Sequence, residues 1–349
     1  MCRLLPDSSR AEPLGAYMKI ISFRMHERTI LFFSTYLVLL SLSANAQQFA
    51  AKDTVLKGDC PATSNPIQVN SLSQACDSES LTKLADSGHV FLQNQMGIES
   101  ALLLGANRSI EDARRVFQNA ALRGSGPAQV NLAVLYMNGW GVPKNYGSAL
   151  YWLKSAAAQG IPQAHMNLGL LYLNGWGVRQ DYAEALRYFR FAAEHGDTGA
   201  MVDLGYMSDC GLGTEENQTV AAEWYRKAAE GGDALGQNNL ADMYLRGQGI
   251  QQSDDRAFAW FQKAAAQGHT GARIKLGFLY MTGRGVRKDL EAAYAWVLSA
   301  SLAGDHRGDE YLVSLQLKLS PAERERGTHR AQELQTVSHG HATNVAFLR

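Results

Sequence analysis

Residues 167–196 read NLGLLYLNGWGVRQDYAEALRYFRFAAEHG, and residues 275–300 read KLGFLYMTGRGVRKDLEAAYAWVLSA. The second stretch repeats the first after 108 residues, which is three steps of 36. The same step organises the residues around them. Gly139, Gly175, Gly211, Gly247 and Gly283 are each 36 apart, as are the glycines two residues after each. A third glycine column runs from Gly124 to Gly304. Leu132, Leu168, Leu204, Leu240 and Leu276 keep the step, and so do Ala149 and its four equivalents. An aromatic recurs as Trp152, Tyr188, Trp224, Trp260 and Trp296. Chance does not hold six columns in phase over five copies, so the chain contains five repeats: 125–160, 161–196, 197–232, 233–268 and 269–304.

Each repeat reads as two helices. Ala128, Leu132, Leu135 and Tyr136 fall at i, i+4, i+7 and i+8, one helical face. Gly139 ends that helix, and a Gly-x-Gly loop follows, with glycine supplying left-handed backbone. Asn145, Asp181, Asn217, Ser253 and Asp289 share the next column, and all are strong N-cap types. Ala149, Trp152, Ala156 and Ala157 form the buried stripe of the second helix, and Gly160 stops it. Ser125, Asp197 and Asp233 cap first helices, and Pro162 suits a first helical position. One hairpin cannot bury both its faces, whereas stacked neighbours can, which predicts a curved superhelix. Upstream, Ala113, Val116, Phe117, Ala120 and Ala121, closed by Gly124, read as the second helix of a degenerate repeat. Downstream, Ser320 to Glu323 is a capping box opening a polar final helix. The solenoid is expected over 81–335, with a disordered tail at 336–349.

Lys plus Arg and Asp plus Glu each number 33, so the zero net charge offers no footprint for nucleic acid. Arg24 and Arg28 precede the apolar run Ile30 to Leu42 and the A-x-A site Ala44 to Ala46. This predicts a cleaved signal peptide over 1–46, with Met18 or Met25 as alternative starts, and export to the periplasm or beyond. The run is too short for the roughly 20 residues of a spanning helix. Residues 47–80 read as a flexible leader. Within it, Cys60 and Cys76 are either a disulfide suited to an oxidising compartment or two free thiols, and Cys210 is the odd one out.

The two quoted strings resemble Sel1-like repeats, a family related to tetratricopeptide repeats. The resemblance covers about residues 104–335. It implies an all-α, αα-hairpin solenoid, a right-handed superhelix of five 36-residue repeats with a degenerate N-terminal unit and a C-terminal capping helix. It also implies an adaptor that binds proteins. Bacterial relatives are often secreted or periplasmic, with roles in envelope signalling, polysaccharide export and host contact. The third repeat departs from the family pattern: Ser208 stands for the tyrosine, Cys210 for a polar residue, and Thr214 for the valine after the loop. It is either a looser repeat or the place where a partner docks. A subgroup with a disulfide in every repeat, associated with β-lactamase-like activity, is disfavoured because Cys210 alone lies in the repeats.

In tetratricopeptide relatives the first-helix positions face a concave groove. The corresponding ladder here is Asn131, Asn167, Asp203, Asn239 and Lys275, and a variable column one turn on contains Leu170, Tyr206 and Phe278. Such a ladder either hydrogen-bonds an extended peptide, at about 1 kcal/mol net per bond, or is structural. Trp140 and Trp176, inside the Gly-x-Gly loops, either form an exposed patch or pack on the neighbouring repeat. No catalytic constellation is in phase. His165, His195 and His269 read as three different columns, Cys210 lacks a histidine base, and no Gly-x-Gly follows a strand. No cofactor or metal is expected. The expected function is a scaffold for a protein or peptide partner in the bacterial envelope. The alternatives are a secreted effector that binds a host protein and a cell-wall-directed hydrolase.

Overall fold

The computed structural model describes residues 110–348, with side-chain environments for 113–335. The predicted signal segment, the leader, residues 81–109, Cys60 and Cys76 lie outside the described residues. Thirteen α-helices and no strand occur among the described residues. They fall into two compact bodies, one ending at Tyr188 and one beginning at Phe189.

The first body holds α1 (Ile110–Leu122), α2 (Gly126–Asn138), α3 (Tyr146–Ala157), α4 (Pro162–Asn174) and the start of α5 (Tyr182–Glu194). α1 forms where the sequence places the second helix of a degenerate repeat. Its Ala113, Phe117 and Ala120 are buried against Ala128 and Leu132 of α2. Ala149, Leu153 and Ala156 of α3 then pack on Ala164, Leu168 and Leu171 of α4. A second helix is thus covered by its own partner and by the next repeat's first helix.

The second body continues the alternation with α6 (Thr198–Cys210), α7 (Gln218–Glu230), α8 (Ala234–Arg246), α9 (Asp254–Ala266), α10 (Thr270–Thr282) and α11 (Leu290–Leu302). A short α12 (Asp309–Gln316) buries Leu312 and Leu315, and α13 (Pro321–Leu348) closes the chain. The capping box forms as expected: the Ser320 amide donates to Glu323 Oε2 at 2.8 Å, and the Glu323 amide donates to Ser320 Oγ at 3.3 Å. α13 runs on through 336–348, where the sequence suggests a disordered tail. No proline interrupts that stretch, and its one glycine costs a helix only about 1 kcal/mol. Arg273, almost wholly buried, donates to the carbonyls of Ser299 and Leu334 and so ties α10 to α11 and α13.

All five second-helix caps form. Asn145, Asp181, Asn217, Ser253 and Asp289 each accept the amide three residues on, at 2.9–3.3 Å. First helices are capped by Ser125, Asp197 and Asp233 as expected. In the fifth repeat His269 takes the role: its Nδ1 accepts the Ala272 amide at 3.1 Å. This histidine stands in the Ser125–Asp197–Asp233 column, so it is a structural cap and not one of three scattered histidines. Cys210, the expected odd one out, is disulfide-bonded, and its partner lies outside the described residues.

The Gly-x-Gly loops join repeats as well as ending helices. A Cβ on Gly177 would meet Tyr146 Cβ at 2.6 Å. On Gly249 it would fall on the Gln218 carbonyl, and on Gly285 on the Asp254 carbonyl. Tyr146, Gln218 and Asp254 are the first residues of the preceding repeats' second helices. In these three loops the second glycine is therefore a point of close approach between successive repeats.

Candidate functional site

The ladder positions lie on the first helices, one residue per repeat. Asn131 is buried at 5% exposure. Asn167 Nδ2 donates to the Gln163 carbonyl of its own helix at 2.8 Å. Asn239 accepts from Asn238 at 3.2 Å and hydrogen-bonds the Tyr225 hydroxyl. Lys275 pairs with Asp242 of the preceding first helix at 3.1 Å. These side chains are satisfied within the protein, so they form a set of internal contacts and not a row of unengaged amides. Leu170, Tyr206 and Phe278 are half-buried and retain some surface. Phe278 lies 6.4 Å, ring to ring, from Tyr311 of α12.

Asp203 differs from the rest of its column. Its Oδ2 is buried and has no hydrogen-bond partner. Burial, reinforced by the nearby Asp197 and Asp233 carboxylates, pushes its pKa up to about 8. Beside it stands Tyr225, in the core column Leu153, Phe189, Tyr225, Phe261 and Val297. Its ring packs on Gly205, where a Cβ would sit 2.6 Å from the ring. Its hydroxyl lies among Asp203, Asp209, Tyr206 and Asn239, and burial raises its pKa, keeping it protonated. Burial likewise raises the pKa of Asp209. A shallow depression follows, lined by Asp209, Tyr225, Asn239, Asp242, Arg246 and Gln248. The sequence reading missed Tyr225, Asp209 and Arg246 here. The signal was present, since Tyr225 is the one residue of an apolar column with a polar tip.

The loop tryptophans resolve toward packing. Trp176 stacks on Tyr146 at 5.5 Å and 11°, and Trp140 lies half-buried against the Ala128–Leu132 cluster. In the same loop column Arg284 forms a fork on Asp254, at 2.7 and 2.9 Å. This column therefore clasps the preceding second helix with whichever chemistry the partner there supplies.

Two of the sequence-predicted histidines meet backbone carbonyls of their own repeat. His165 Nδ1 lies 3.0 Å from the Ile161 carbonyl, and His195 Nδ1 lies 2.7 Å from the Phe191 carbonyl. Ser301, His306 and Asp309 form a serine–histidine–aspartate cluster on the surface, but both Ser301 Oγ and Asp309 Oδ2 contact the same nitrogen, Nδ1. A nucleophilic relay needs the base bridged between serine and acid through its two nitrogens. No group of three potential metal-binding side chains converges among the described residues.

The Sel1 repeat profile matches residues 126–161, 162–197, 198–233, 234–269 and 271–305. Among solved structures, a Sel1 repeat protein from Oxalobacter formigenes is similar at 29% identity and a TM-score of 0.58, covering 75% of this chain and 96% of that one. The c5321 protein, a protective antigen present in uropathogenic Escherichia coli strains displaying an SLR fold, is 26% identical at a TM-score of 0.48, covering 78% of this chain and 66% of that one. No curated protein matches the chain. Sel1 repeats generally serve as protein–protein interaction scaffolds, and the fold is typically non-enzymatic. With five consecutive profile matches spanning half of its length, and hairpins in the register those matches require, this chain belongs to the Sel1 repeat family.

Proposed function

We propose that the protein is an adaptor of the bacterial cell envelope that holds a partner protein or peptide against the first-helix face of its repeats. The observation that carries the reading is the contrast between two neighbouring columns. Leu132, Leu168, Leu204, Leu240 and Leu276 are all at most 1% exposed. The column starting at Val134 holds Leu170, Tyr206, Asp242 and Phe278, all half-buried and chemically diverse. Packing explains the uniform column, and recognition of an uneven surface explains the varied one. The signal-like segment before residue 47 supports an exported location.

The test is in-cell cross-linking from a photoreactive residue at Tyr206, with fractionation of the cells. The expected result is one dominant cross-linked protein, recovered from the envelope fraction and lost when Asp242 and Phe278 of the same column are both changed to Ser. Capture of the same protein at equal yield by the double variant would refute the assignment of this face. Recovery of the mature chain from cytoplasm would refute the location.

A further inference from the structure

We propose that the first-helix face of the third and fourth repeats is a receptor for a cationic side chain of the partner, a guanidinium or ammonium, with Asp203 as its counter-ion. This deepens the adaptor reading and rests on it.

Asp203 is the only acid in a column otherwise filled by Asn131, Asn167, Asn239 and Lys275. Its buried Oδ2 receives no hydrogen bond. A buried carboxyl oxygen without a donor is costly and uncommon, and calls for a reason. Among the described residues no cation is paired with it. Lys275, in the same column two repeats later, pairs with Asp242 of the neighbouring column, and the corresponding residue in the fourth repeat is the neutral Asn239, already bonded to Tyr225. The surrounding field is negative. Asp197 and Asp233 face Asp203, each with an oxygen committed to a backbone amide at 2.8 Å. The Thr198 hydroxyl also donates to Asp233, at 3.4 Å. These acids attract a cation without satisfying Asp203. Asp209 also acts on the Tyr225 hydroxyl, and Arg246, which lines the depression with it, is exposed. The carboxylates do not converge as metal ligands. A nitrogen cation that needs one carboxylate and a few acceptors fits the place better than a bare ion.

Seating a cation there has a proton consequence. Asp203 is held largely as the neutral acid at pH 7, and an arriving guanidinium favours its carboxylate, so binding expels the proton into solvent. Asp197, Asp209, Asp233, Asp242, Tyr206, Tyr225 and Arg246 are the other titratable groups around the site.

The experiment uses the full chain and an acetylated, fluorescently labelled hexa-arginine peptide. Anisotropy at low salt measures affinity. Calorimetry at pH 7 in two buffers of different ionisation heat counts protons. The expected result is saturable binding that tightens from pH 6 to pH 9 and releases a substantial fraction of one proton. Asp203→Asn, which keeps shape and neutrality, should weaken binding about tenfold or more and abolish proton release. Asn239→Lys, which places a resident ammonium beside the Tyr225 hydroxyl, should also block the peptide. Glu223→Gln, at an exposed acid on α7, should change affinity less than twofold. Equal binding by the wild type and Asp203→Asn, or no proton release, overturns the proposal. If Asp203→Asn still captures the cellular partner at wild-type yield, the cationic receptor fails while the adaptor reading stands. If the wild type captures no partner, the adaptor reading fails, and the peptide result alone judges the receptor.

Discussion

Replacing Gly249 by Ala tests how successive repeats are joined. Two costs are expected, and they can be separated. At φ +63° a residue with a Cβ pays about 1–2 kcal/mol for left-handed backbone. The new methyl would also fall on the Gln218 carbonyl and lie 2.6 Å from the Thr219 amide nitrogen. Both neighbours are helical backbone, so relief requires the loop to retreat from the preceding repeat, an overpacking cost of about 1–3 kcal/mol. The sum is about 2–5 kcal/mol. Gly232→Ala is the control: its φ of +91° carries the backbone cost, but nothing lies within 4 Å of the added carbon. It should lose about 1–2 kcal/mol only. Urea unfolding followed by circular dichroism gives both values. Thermal melts should separate the variants by roughly 2–4 °C per kcal/mol. If the two variants lose the same stability within about 0.5 kcal/mol, the close approach at Gly249 is not a significant constraint, and the account of the loop fails.

Other consequences are equally open to measurement. His269 must be neutral to accept the Ala272 amide, and burial, assisted by the nearby Arg307, lowers its pKa from 6.5 to about 4. The unfolded chain then binds a proton between those values that the folded chain refuses. Stability contributed here is complete above pH 6.5 and falls by roughly 3 kcal/mol toward pH 4; His269→Ser, which keeps a cap and removes the titration, should flatten that slope in denaturation series. Asp203 acts with the opposite sign: its pKa is raised, so its contribution is complete below 3.8 and is lost as pH climbs toward 8, and Asp203→Asn should remove the alkaline loss. Trp176→Ala, which removes the stack on Tyr146, should cost about 1–3 kcal/mol, whereas Arg284→Ala in the same column should cost at most about 1 kcal/mol because its ion pair is partly exposed; equal costs would contradict this reading of the column. Asn217→Ala should cost about 1 kcal/mol by loss of the bond to the Val220 amide, read as a lower urea midpoint at unchanged slope.

The local code was legible without coordinates. Helix starts were readable because capping is chemistry within three residues of the chain, and all five second-helix caps formed where Asn, Asp or Ser stood. His269 escaped because imidazole is a rare cap, although its place in the column was visible. The ladder was found by phase, but its state was not. Asn167 turns to its own helix, Asn239 to Tyr225, and Lys275 to Asp242, and those choices depend on which residues the next helix presents.

The sequence by itself determined the repeat length, the two helices of each repeat, the second-helix caps and the family, because each rests on periodicity or on contacts among near neighbours in the chain. Only the tertiary structure decided that Gly249 abuts the previous repeat while Gly232 faces open space, that Trp176 stacks on Tyr146, and that one oxygen of Asp203 is left buried without a donor. Those outcomes depend on how closely residues some thirty positions apart are brought together, and a column of identical letters carries no distance.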